Sequence, residues 1–84
     1  MNDMQERRKF PRTKVHKAAR VIAARCQQLI GCTVLDLSIG GAVIAVANAT
    51  DVPNEFDLTF DAARTMRPCR VAWRTGNRIG IAFC

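Results

Sequence analysis

The 84-residue chain has no tyrosine, one tryptophan, four phenylalanines and a single histidine. So few aromatics, most of them in apolar alternation, argue against a surface that stacks successive nucleic-acid bases. With one histidine, no Gly-x-Ser-x-Gly elbow and no Walker-type loop, neither nucleophilic catalysis nor nucleotide hydrolysis is expected. Long apolar runs are absent too. The longest, Ala42 to Ala47, is six residues, against the roughly 20 of a membrane-spanning helix. No apolar stretch follows the polar start Met1–Glu6, so a secretory signal is not expected. The four cysteines, Cys26, Cys32, Cys69 and Cys84, form no C-x-x-C pair, which argues against a zinc site or a disulfide framework. Reduced, mostly buried thiols in a cytoplasmic domain are expected instead, with no metal.

What the chain does have is positive charge, unevenly placed. Residues 1–25 hold eight basic side chains against two acidic ones; residues 26–84 hold five of each. The whole excess of +6 therefore sits in the N-terminal third. Charge placed this way predicts an anionic partner met by one end of a single small domain.

The first seventeen residues are polar and lack periodicity, and Pro11 pushes Phe10 toward extended backbone. They read as a flexible basic arm, 1–17, ahead of a folded unit, 18–84. Between Lys17 and Ile30 local pattern leans toward an amphipathic helix ending at Gly31, although a short strand at Arg20–Arg25 also fits. Beyond Gly31 the strand signals dominate. Thr33–Leu37 and Ala42–Val46 flank a turn at Ser38–Gly41, and Phe56, Leu58 and Phe60 alternate with polar residues. Cys69, Val71 and Trp73 alternate with Arg70, Ala72 and Arg74, then Gly76-Asn77 separates them from Ile79, Ile81 and Phe83. Glycine at such a two-residue junction supplies the positive φ that a tight hairpin requires. Six strands with regular turns predict an all-β fold, a small antiparallel barrel or sandwich.

Two motifs carry chemistry. Arg8-Lys9-Phe10-Pro11-Arg12 is an R-x-x-x-R, and Asp36-Leu37-Ser38-Ile39-Gly40-Gly41 is a D-x-S-x-x-G. In this order, with a strand between them and a closing Val71-Ala72-Trp73…Gly80-Ile81-Ala82-Phe83 pattern, the chain resembles the PilZ domain family, bacterial receptor modules for cyclic di-GMP. The resemblance runs from about Glu6 to Phe83. It implies a six-stranded antiparallel β-barrel, turns Ala19–Ala24 from helix into the first strand, and assigns Arg8, Arg12, Asp36, Ser38 and Gly41 to the ligand. Arg7 precedes the arginine motif, where the family often takes two intercalated ligand molecules. Gly40 and Trp73 are weaker candidates. The fuller family form continues into a C-terminal helix, for which this chain has no residues after Cys84; a second copy or partner is expected to cover that barrel end.

The ligand explains the residue types. Its two phosphates and two guanines want cations that also read base edges, and an arginine fork does both. The Asp36 carboxylate accepts from the guanine N1 and N2 donors, with the Ser38 hydroxyl beside it. Glycine at 40 and 41 lets a flat base approach the backbone. Each motif also has a plainer reading: Asp/Ser/Gly as hydrogen-bonded turn chemistry with glycines at positive φ, and the basic run as a solvated tail. Trp73 sits with Cys69 and Val71 on the apolar side of its strand, so core packing is its first reading and base stacking its second. Arg70, Arg74 and Arg78 share the polar side of the last hairpin, there either to attract phosphate or to keep an outer face hydrated. The expected output is a changed surface read by an effector protein, by a monomer or a ligand-linked homodimer, in processes such as motility or biofilm formation. The rivals are a PilZ-like protein adaptor that binds no nucleotide and a basic barrel that binds nucleic acid.

Overall fold

A computed structural model describes residues 12–23, 28–60 and 66–84. Six strands run in chain order: β1 Thr13–Ala23, β2 Gln28–Leu37, β3 Gly41–Ala45, β4 Glu55–Thr59, β5 Met66–Thr75 and β6 Arg78–Phe83. They close into a barrel in the order β1-β2-β3-β6-β5-β4, every neighbouring pair antiparallel. Closure falls between β1 and β4, where Arg20–Ile22 pair with Asp57–Thr59. The fold is thus the all-β six-stranded barrel that the resemblance implies.

Each strand contributes to one interior. Val21, Val34, Ile44, Leu58, Cys69 and Ile79 come one from each strand, and all are almost fully buried. Burying an aliphatic side chain contributes on the order of 1.5–3 kcal/mol, and Phe56 and Ile81 extend this layer into the wider core. β3 and β4 lie opposite one another in the ring, so the connection between them must cross a barrel end. It does so through a short 3-10 turn at Ala49–Asp51, and Val46, Ala49 and Val52 are buried there. The chain therefore closes one end of the barrel with its own 46–54 segment.

Local pattern and tertiary structure disagree at the first strand. Residues 17–23 are extended rather than helical, because Ala19, Val21 and Ala23 face the core at a period of two. β1 also starts at Thr13, so residues 13–17 belong to the barrel and not to the arm assigned to 1–17. The reason is pairing. β2 offers backbone partners as far as Leu37, and Val15 packs against the core. Residues 1–11, with Arg7 and Arg8, and residues 24–27, with Cys26, lie outside the described residues. At the last hairpin, Gly76 takes φ +60°, as its tight turn requires, and the Asn77 carbonyl accepts from Val46 N at 2.8 Å. Of the thiols, Cys69 is buried, Cys32 half-buried and Cys84, beyond the last strand residue, exposed. Cys84 thus departs from the expected burial.

Candidate functional site

The D-x-S-x-x-G residues form the β2–β3 turn and the strand end before it. Ser38 N donates to the Gly41 carbonyl at 2.9 Å. The Ser38 hydroxyl accepts from Gly41 N at 3.2 Å and lies 3.3 Å from the Gly41 oxygen. The Gly40 carbonyl accepts from Phe83 N at 2.9 Å, which ties the turn to the end of β6. The serine is therefore engaged in turn chemistry. Gly41 has no positive φ; a Cβ there would stand 2.2 Å from the Ile81 carbonyl oxygen. Close approach of β3 to the β6 backbone, not a left-handed conformation, is what demands glycine at 41.

Asp36 reaches the outer face through a bulge. Val34 pairs with Ile44 and points inward, yet Asp36, two residues on, pairs with outward-facing Val43. Leu35 is the extra residue that reverses the alternation. There the Arg12 guanidinium meets Asp36, Nη1 lying 3.6 Å from Oδ2, so one arginine of the first motif and the carboxylate of the second are together. The pair is open to water on the arginine side, 65% exposed against 20% for Asp36, and contributes no more than about 1 kcal/mol. The other Asp36 oxygen, Oδ1, is buried and has no hydrogen-bond partner among the described residues.

A second bulge corrects the reading of Trp73. Val71 pairs with Ile81, but Trp73 pairs with Gly80, leaving Ala72 as the extra residue. The bulge turns Trp73 out of the core; it is 43% exposed. The same inversion separates Arg70 from Arg74. Arg70 stays outside, whereas Arg74 turns toward the barrel end, where Nη1 donates to the Ala49 carbonyl and Nη2 to Asn54 Oδ1 at 2.9 Å. Arg74 thus fastens the crossing segment and is not a free surface cation. The Trp73 indole lies on Gly80, where a Cβ would fall 2.1 Å from Nε1.

Register now aligns two rows across the outer face. One runs Asp36–Val43–Gly80–Trp73, over β2, β3, β6 and β5. The next runs from the Ser38–Gly41 turn through Ala82 to Arg70. With strands about 4.8 Å apart, β2 and β5 are separated by about 14 Å around the curved sheet, half the ring, and they flank a central pair, β3 and β6, whose outward residues are Gly41, Val43, Gly80 and Ala82. Sequence reasoning did not place Val43, Gly80 and Ala82 at the site. The isolated glycine inside an alternating strand at position 80 was the available signal. Cys32 and Cys69 stand apart from this face: burial pushes their thiols up, to about 11 and about 12, with neighbouring Cys84 adding to the rise at Cys69.

By architecture the chain is a small closed antiparallel barrel with an acidic turn and an arginine side by side at one edge of the outward face of β3 and β6. It matches the PilZ domain over residues 6–84 and belongs to that family, one of cyclic di-GMP receptors and adaptors. No curated protein matches the chain.

Proposed function

We propose that this chain is a cyclic di-GMP receptor that binds the nucleotide on the outer face, over β3 and β6. The observation that carries the reading is the Asp36 carboxylate: Oδ2 faces Arg12, while Oδ1 is buried with no donor among the described residues. A buried acceptor left unpaired costs on the order of 1–3 kcal/mol, and the N1–H and N2–H edge of guanine supplies the missing donors. Arg12 turns from Asp36 to a phosphate or to guanine O6 and N7, and Arg8 and Arg7 act from the preceding residues. The Ser38–Gly41 turn supplies the near edge. The exposed side of the Trp73 ring supplies an apolar platform at the far edge, where a purine stacks. Nothing in this arrangement calls for bond making or breaking; the chain acts by binding. Contacts from the basic segment to the ligand change the surface presented to an effector protein, in the cytoplasm where this second messenger acts.

Calorimetric titration with cyclic di-GMP, against GTP and a short single-stranded DNA, tests the reading. Selective saturation is expected, with a stoichiometry of one or two per chain, and Arg12→Ala or Asp36→Ala is expected to remove it from a barrel that still melts cooperatively. No heat with cyclic di-GMP from folded protein would overturn the receptor reading in favour of a protein adaptor. Response to DNA alone would favour a nucleic-acid function.

A further inference from the structure

Three arginines, 70, 74 and 78, look equivalent in sequence, but the barrel gives them different surroundings. Arg74 is turned inward and held by Ala49 and Asn54. Arg78 opens β6 beside the Gly76–Asn77 turn and pairs with Ala45 and Thr75, two rows of the face away from Ala82. Arg70 alone pairs with Ala82, which pairs with Gly41, so it stands directly across two strands from the Ser38–Gly41 turn. It is exposed, and no carboxylate among the described residues lies within ion-pair distance of it, although Glu55 is its cross-strand neighbour on β4. The next arginine back, Arg67, is occupied over the Phe83 ring at 4.2 Å.

The bulge at Ala72 adds a second reason. In an unbroken strand Arg70 and Trp73, three apart, would face opposite sides of the sheet. The extra residue puts both on the outer face, at the β5 ends of the two rows that start at Asp36 and Ser38. Bulges of this kind commonly re-aim side chains beside binding sites. Arg12, the second arginine of the first motif, lies at the β1–β2 edge, where it meets Asp36. A compact ligand seated over β3 and β6 is flanked by Arg12 on the β2 side and by Arg70 on the β5 side.

We propose that Arg70 is a further ligand-binding residue, outside both motifs, that holds the phosphate or guanine edge on the β5 side of β3 and β6. The inference rests on the receptor reading above and deepens it. The test is titration of the full chain with cyclic di-GMP, comparing wild type, Arg70→Ala, Arg70→Lys and Arg78→Ala. Loss of a bidentate charge-assisted contact is expected to weaken binding about tenfold in Arg70→Ala. Arg70→Lys should recover only part of that affinity, since it keeps the charge and loses the fork. Arg78→Ala should stay within about twofold of wild type. Thermal melts of the four proteins should coincide, because neither side chain is in the core. If wild type saturates and Arg70→Ala binds equally well, the contact does not exist. If Arg70→Ala and Arg78→Ala are weakened alike, the effect is one of overall charge, and the assignment to Arg70 falls. If wild type itself does not bind, the receptor reading fails and the assignment of Arg70 falls with it.

Discussion

Replacing Gly41 by alanine separates the structural from the ligand-facing part of the D-x-S-x-x-G motif. The added Cβ would sit 2.2 Å from the Ile81 carbonyl oxygen and 3.2 Å from its carbon, both backbone atoms of the neighbouring strand. No rotamer change relieves this contact, so β3 must move away from β6 by about 1.2 Å to bring 2.2 Å up to an ordinary 3.4 Å. The Phe83 N to Gly40 O bond, 2.9 Å long, lies one residue away and would stretch past hydrogen-bonding distance. One or two lost backbone bonds at about 1 kcal/mol each, with the strain of overpacking, come to about 2–4 kcal/mol. In a domain of this size each kcal/mol shifts the melting midpoint by about 4–8 °C, so a drop of roughly 10–25 °C is expected. The assay is a thermal melt followed by circular dichroism, without ligand. Gly31→Ala is the control, since a Cβ there meets nothing within 4 Å; it should melt within a few degrees of wild type. If Gly41→Ala melts within about 2 °C of wild type, the close strand approach is not what requires glycine there.

Three other outcomes follow from the same geometry. Gly80→Ala should displace the indole that lies on it, shifting the Trp73 emission spectrum and weakening cyclic di-GMP binding while the β-sheet circular dichroism is kept; an unchanged spectrum would refute the stacking of Trp73 on Gly80. Arg74→Ala should cost about 1–3 kcal/mol by releasing Ala49 and Asn54, measured by urea unfolding, whereas Arg78→Ala should cost almost nothing. Because burial raises the Cys69 thiol from 9.0 to about 12, the unfolded chain loses this proton at lower pH than the folded one. Stability should therefore hold below about pH 8 and decline as pH rises from 9 toward 12, and Cys69→Ala should flatten that decline; an identical decline in the variant would refute the assignment to this thiol.

Much of the barrel was legible in the sequence because its signals are local. Alternation in Phe56–Phe60 and Ile79–Phe83, and the Gly76-Asn77 turn, mark strands and a hairpin without reference to the rest of the chain. The first strand was not legible from pattern, since alanines and arginines of residues 17–25 suit a helix as well; pairing with both β2 and β4 decides it. Trp73 and Arg74 were read onto the wrong faces for one reason. Strict alternation counts residues, and a bulge inserts one that the count cannot see.

The sequence by itself determined the charge asymmetry, the two motifs and the composition of a six-strand domain, because each of these is a property of residues taken in order. Only the tertiary structure decided which of them share a surface. Strand register brings Arg12 to Asp36, lays Trp73 on Gly80 and sets Arg70 opposite the Ser38–Gly41 turn. Register depends on backbone pairing between residues as distant in sequence as Gly41 and Ala82, and on irregularities in β1, β2 and β5, of which the bulges at Leu35 and Ala72 reverse the facing of the side chains beyond them.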